Sequence, residues 1–111
     1  MTLEQLRARI DELDERLVEL LNARAACALD IGRLKQTLGL AVYQPEREAE
    51  VLRHVQQCGN TSGGPLSGAA LTRVFERIID EGRRLERAAP AEGCEERPDR
   101  RGRETRSGTD T

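Results

Sequence analysis

The chain has 111 residues, 37% hydrophobic and 34% charged; the length allows one small domain and not a two-domain enzyme, and the density of charge excludes a membrane span. Its 18 Lys+Arg against 20 Asp+Glu leave a net charge of −2, so no basic field exists to gather nucleic acid. Tyr43 and Phe75 are the only aromatic side chains; base stacking is thereby excluded, and the core must be built from Leu, Ile, Val and Ala in an all-α chain.

The first segment carries Leu3, Leu6, Ile10, Leu13, Leu17, Leu20, Cys27, Ile31, Leu34 and Leu38 at alternating steps of three and four. This spacing predicts one very long amphipathic helix. Thr2 with Gln5 makes a capping box at its start and Gly39 a terminator, so the helix runs from about residue 3 to 38, slightly weakened by Gly32. Pro45 opens a second, short helix with a stripe of Ala49, Leu52 and Val55 that ends at Gly59; residues 60–65 (NTSGGP) read as a loop. Ser67 caps a third helix with its stripe at Leu71, Val74, Phe75, Ile78, Ile79, Gly82 and Leu85, closed by Pro90. Residues 1–89 form the expected domain, and residues 90–111, rich in Pro, Gly, Arg and Glu, read as a disordered tail.

A helix of this length spans about 54 Å, whereas a compact domain of ~90 residues has a radius of gyration of about 12 to 13 Å. Much of the apolar stripe must therefore be covered by a second chain, and a homodimer built on paired first helices is the expected assembly. Cys27, Cys58 and Cys94 are widely spaced, with no CxxC and no signal-like start, which points to a reduced, cytoplasmic protein. With His54 as the one histidine and no glycine-rich phosphate loop, neither a metal nor a nucleotide cofactor is expected.

The charged residues that break the pattern carry the chemistry. Arg24 occupies the position where the stripe skips an apolar residue, and Lys35 projects from nearly the same face about 16 Å further on. Lys35 is also the one lysine among 18 Lys+Arg. The plainer alternative pairs Arg24 with an acidic neighbour across the dimer and lets Lys35 snorkel to solvent. Arg7 flanks the stripe about 42 Å from Lys35, so only an antiparallel partner helix brings both to one ligand; alone, Arg7 pairs with Asp11 at i+4. Gln44-Pro45-Glu46-Arg47-Glu48 presents a helix start suited to anions or hydroxyls, or simply a start favoured by its acidic residues. Gly82 and Glu86 sit at i and i+4 on the edge of the third stripe, where Glu86 either faces inward or pairs with Arg83 on the surface.

Leu6-Arg7 with Ile10, Asp11 and Asp14, Leu20-Leu21-x-x-Arg24, Ile31-Gly32-x-x-Lys35, Pro45-x-Arg47-Glu48, and Ile78-Ile79 ahead of Gly82 and Glu86 together resemble the all-helical chorismate mutase family over roughly residues 3 to 88. The resemblance implies an intertwined homodimer that rearranges chorismate to prephenate on the way to phenylalanine and tyrosine, without a cofactor. It implies that Arg24 and the partner's Arg7 hold the two carboxylates, and that Lys35 and Glu86 donate to the ether oxygen. Arg47 lends electrostatic support, Glu48 accepts from the ring hydroxyl, and Gly82 lies against the ring carboxylate. A concerted rearrangement needs only positioning and charge stabilisation, which agrees with the lack of a nucleophile.

Three positions depart from the family pattern. Gln44 stands where many members have Asp and lacks its capping power. Gly82 stands where some have Ser, so a hydrogen bond to the ligand is lost or passes to water. Glu86 stands where others have Gln; it must be protonated to donate, so activity is expected to rise as pH falls toward about 5. Two alternatives remain at this point: an isochorismate-pyruvate lyase on the same fold, disfavoured by the carboxylate of Glu48, and a non-catalytic helical dimer that binds a partner protein or senses a metabolite. A pure scaffold gains nothing from Arg24, Lys35 and Glu86 on its core face.

Overall fold

The computed structural model describes residues 1–89, which form three α-helices and no strand: α1 (Leu3–Leu38), α2 (Pro45–Ser62) and α3 (Gly68–Ala88). The expected tail, residues 90–111, lies outside the described residues. α1 begins and ends where its sequence signals stand. Thr2 Oγ1 accepts from the Gln5 N–H at 3.1 Å while Gln5 Oε1 accepts from the Thr2 N–H at 2.8 Å, satisfying two otherwise orphaned donors. At the other end Gly39 adopts φ 73°, a left-handed conformation that costs a residue without Cβ nothing, and Leu40 N–H closes on the Lys35 carbonyl at 2.8 Å.

α2 starts at Pro45 as expected but does not stop at Gly59. It continues to Ser62 and is capped by Gly63 at φ 73°, so Asn60, Thr61 and Ser62 belong to the last helical turn rather than to a loop. Gly59 serves packing instead. A Cβ there would lie 2.6 Å from Leu71 Cδ1 and 3.0 Å from Gly68 Cα, so its absence lets α2 approach the start of α3. The hydroxyls of Thr61 and Ser62 donate to the carbonyls of Gln57 (3.0 Å) and Gly59 (3.1 Å), tightening this turn. In α3, Ser67 Oγ accepts from the Ala70 N–H at 3.0 Å. Ala89, the residue before Pro90, leaves the helix at φ −69°, ψ 138°, the extended region that a following proline enforces.

α3 packs against α1 on one side and α2 on the other, while α1 and α2 do not pack on each other. α1 and α3 cross closely at Gly32, where a Cβ would lie 2.7 Å from both the Cα and the carbonyl oxygen of Glu86. Gly32 is therefore the notch that admits α3, not merely a weak point in the helix. Near the same crossing the Gln36 side-chain amide donates to the Ala89 carbonyl. The buried apolar residues are few, namely Ala28, Val55, Ile79 and Ala89, and the molecule measures 51 × 36 × 15 Å. The long dimension is α1 itself.

The face that α1 turns to its own α3 is not the predicted leucine stripe. Ala25, Ala28, Leu29 and Gly32 are buried or half-buried, whereas Cys27, Ile31, Leu34 and Leu38 are exposed. Leu3, Leu6, Ile10, Leu13, Leu17 and Leu20 are exposed as well, so the whole stripe is left uncovered by its own chain. On α3 the expected core residue Val74 is likewise exposed.

Candidate active site

α3 gathers the polar residues. Ile79, Gly82, Arg83 and Glu86 stand at i, i+3, i+4 and i+7 on one face, and each of the last three meets a different charged residue of the other helices. Lys35 Nζ donates to Glu86 Oε1 at 2.6 Å and to the Val42 carbonyl at 2.8 Å, a contact made across 51 residues of sequence. Both side chains are largely enclosed, 15% and 16% exposed, so Lys35 does not snorkel and Glu86 does not pair with Arg83. A charge pair in such surroundings is strongly coupled, because removing either partner strands the other in a poorly solvated place.

Arg24 is the first half-buried residue along α1, and among the described residues its guanidinium has no hydrogen-bond or ion-pair partner. It faces Gly82: a Cβ built there would stand 3.6 Å from Arg24 Nη1, ordinary contact distance. The glycine leaves room beside the cation. Arg24 also lines a cleft of 540 Å³ whose wall includes Arg47 from α2 and Phe75 from α3, with Val51, Val55 and Leu71 as its apolar part. Lys35, Glu48, Gly82 and Glu86 lie outside that lining.

Of the remaining expected residues, Arg47 reaches the cleft but is 71% exposed and paired with Glu50 at 3.2 Å. Gln44 occupies the N-cap of α2 without capping it; its Nε2 donates to the Ala41 carbonyl at 2.9 Å. Arg7 stands exposed on the first half of α1, and nothing in its own chain brings it to Arg24 or Lys35; its expected pairing with Asp11 is absent among the described residues. Among those residues no group of His, Cys, Asp and Glu could hold a metal ion, and no helix is long and apolar enough to cross a membrane.

Glu48 has a partner that the sequence reading missed. Arg83 donates from Nε to Glu48 Oε2 at 3.1 Å and from Nη2 to Oε1 at 2.8 Å, a two-point clasp between α3 and the first turn of α2. The third nitrogen, Nη1, donates to Asp80 at 3.0 Å, and the guanidinium carbon lies 5.3 Å from the centroid of the Tyr43 ring. The Glu48 hydrogen bond first, and then, against the opposing effect of burial, the charges of Glu48 and Asp80 raise the Arg83 pKa above its ordinary value. A contact over 35 residues leaves no local mark; the available signal was an arginine between Gly82 and Glu86 on the site-facing edge of α3.

The arrangement offers an unpaired guanidinium, an enclosed ammonium and oriented polar groups, and the cleft wall also carries Cys58, its Sγ 3.6 Å from His54 Nε2. A family model described as chorismate mutase type II matches residues 6–87. The chain belongs to this family. It is 48% identical over 82 residues to the bifunctional chorismate mutase/prephenate dehydratase of Pseudomonas aeruginosa, covering 69% of this chain and 22% of that protein. The chain thus spans about a fifth of the length of that bifunctional relative. Among solved structures, the Helicobacter pylori chorismate mutase in complex with prephenate superposes with a TM-score of 0.69 at 35% identity, covering 78% of this chain and 90% of that one. The form II structure of the Thermus thermophilus chorismate mutase gives 0.70 at 29%, covering 77% and 93%. Membership in the chorismate mutase type II family agrees with the resemblance carried by the ordered residues from Arg7 to Glu86, of which Arg24 meets Gly82, Lys35 meets Glu86 and Glu48 meets Arg83 along α3.

Proposed function

We propose that this chain is a chorismate mutase that works as a homodimer, converting chorismate to prephenate by a concerted rearrangement that breaks one ether C–O bond and forms one C–C bond within the molecule. The observation that carries the reading is the unpaired Arg24 beside Gly82, next to the enclosed Lys35–Glu86 pair. Arg24 binds one substrate carboxylate, and the small residue at 82 leaves space for the other end of the molecule. Lys35 turns its ammonium to the ether oxygen as negative charge builds there, and Glu86, when protonated, donates to the same atom. Glu48 accepts from the ring hydroxyl, and Arg47 adds positive potential from the cleft rim. Nothing needs to leave or attack, so the rate comes from holding a compact conformer and stabilising charge in a site with little water.

The homodimer rests on α1. A stripe of large apolar side chains without cover in its own chain is expensive in water, and an identical antiparallel helix covers it symmetrically. Such pairing carries the partner's Arg7 toward the later turns of α1, where Arg24 lacks a counter-ion. A reduced, cytoplasmic setting suits the free Cys27 and Cys58.

The test is the loss of chorismate absorbance with purified protein, wild type beside Lys35→Ala and Arg24→Leu, with the product identified by chromatography. Wild type is expected to make prephenate, Lys35→Ala to lose roughly 10²-fold or more in kcat, and Arg24→Leu to keep its fold and assembly while losing activity. Conversion of isochorismate to pyruvate instead, or turnover untouched by both substitutions, would overturn the reading.

A further inference from the structure

Glu48 carries no free choice of orientation in this protein. Both of its oxygens are taken by one planar guanidinium, and that guanidinium is itself fixed at its third nitrogen by Asp80 and over its face by Tyr43. Tyr43 precedes Gln44 and Pro45, so a single arginine joins α3, the connecting segment and the first turn of α2. The clasp is also partly enclosed, both side chains being 23% exposed, so water competes with it only in part. Each carboxylate oxygen retains a second lone pair after accepting from Arg83, which leaves Glu48 able to accept one more donor from the substrate side.

We propose that Arg83 is a positioning residue for the ring-hydroxyl end of the substrate: its two-point clasp pre-orients the Glu48 carboxylate so that a lone pair is presented to the hydroxyl. This rests on the mutase reading of the site. Arg83 acts through Glu48 and touches none of the reacting atoms. The ring hydroxyl takes no part in the bonds that break and form, so its contact is about equally strong in the bound substrate and in the transition state. A loosened Glu48 therefore weakens substrate binding and leaves the chemical step nearly unchanged. Because a lysine supplies charge without the planar fork, it replaces Arg83 only in part.

The experiment compares steady-state kinetics of wild type, Arg83→Leu and Arg83→Lys on chorismate and on the analogue that lacks the ring hydroxyl. On chorismate, Arg83→Leu is expected to raise KM about tenfold with kcat within about threefold of wild type, and Arg83→Lys to raise KM about threefold. On the analogue the KM values of wild type and Arg83→Leu should fall within about twofold of each other, since there is no hydroxyl for Glu48 to receive. An equal penalty on both substrates, or none on chorismate, would overturn the assignment, the first by showing that Arg83 merely supports the fold. Should Arg83→Leu fail to fold, Arg83→Lys on the two substrates makes the same comparison. Wild-type protein that leaves chorismate untouched overturns the mutase reading and this inference with it, whereas wild-type turnover with an unselective Arg83 penalty overturns this inference alone.

Discussion

From Leu3 to Ala23 every residue of α1 is exposed, whereas from Arg24 onward the same helix is buried or half-buried at Ala25, Ala28, Leu29, Gly32, Arg33 and Lys35. The two halves also differ in the size of the side chains they present. In the second half small residues face α3, because Ala28 and Gly32 let two helix backbones come close enough for Lys35 to reach Glu86. The first half presents large, branched side chains with nothing of their own chain against them. Small residues here mark contact within the chain, and large ones mark the face that the proposed dimer would cover; Arg24 and Lys35 sit at and beyond the junction between the two.

The largest effect is expected from placing a charge in the first half. Leu17 is 54% exposed in the single chain, so Leu17→Asp would be nearly harmless if this face stayed in water. Under the dimer reading two carboxylates are instead buried against each other's helices at a cost of several kcal/mol each. Sedimentation should then show monomers at micromolar concentration, with chorismate turnover down more than about 100-fold because each site has lost the partner's Arg7. A Leu17→Asp protein that remains dimeric and active would erase the contrast between the halves.

An intermediate effect is expected in the second half. Gly32→Ala places a methyl group 2.7 Å from the Glu86 backbone, which cannot swing aside as a side-chain tip can. The crossing must open, at about 2 kcal/mol, lowering Tm by roughly 10 °C for a domain of this size. Asn22→Ala, on the exposed half, is the control and should change stability by less than about 0.5 kcal/mol. Thermal melts of the two variants side by side measure the difference directly, and equal Tm values would show that Gly32 is not a packing notch.

What the sequence made legible follows the range of the interactions concerned. The ends of α1 and the starts of α2 and α3 depend on residues within three positions of each other, such as Thr2 with Gln5 and Ser67 with Ala70, and these agree with the sequence expectation. Gly59 was misread because a glycine at a close approach and a glycine at a helix end look alike in sequence; only Leu71 and Gly68 on the next helix tell them apart. The leucine stripe correctly announced an uncovered face, but periodicity does not say which of two apolar faces meets α3, and the alanine-glycine face was overlooked. For the site, spacing alone put Arg24 and Lys35 on an inward face, and the family pattern brought Glu86 to Lys35. Arg83 matched neither pattern nor local rule. Its role depends on the fold placing Glu48 opposite.

The smallest expected effect concerns how well the second half performs with a carboxylate where an amide would serve. Glu86 accepts from Lys35 Nζ at 2.6 Å, and under the mutase reading an ionised carboxylate there would oppose the electron density that builds on the ether oxygen. Glu86→Gln puts an amide there whose N–H can donate to the ether oxygen, so kcat on chorismate should rise several-fold in steady-state assays at neutral pH. The substitution keeps the shape of the side chain and releases Lys35 Nζ from its ion pair. Assembly has to be followed alongside, because under the dimer reading each site takes Arg7 from the partner chain. A Glu86→Gln protein no faster than wild type would leave Lys35 as the sole donor to the ether oxygen.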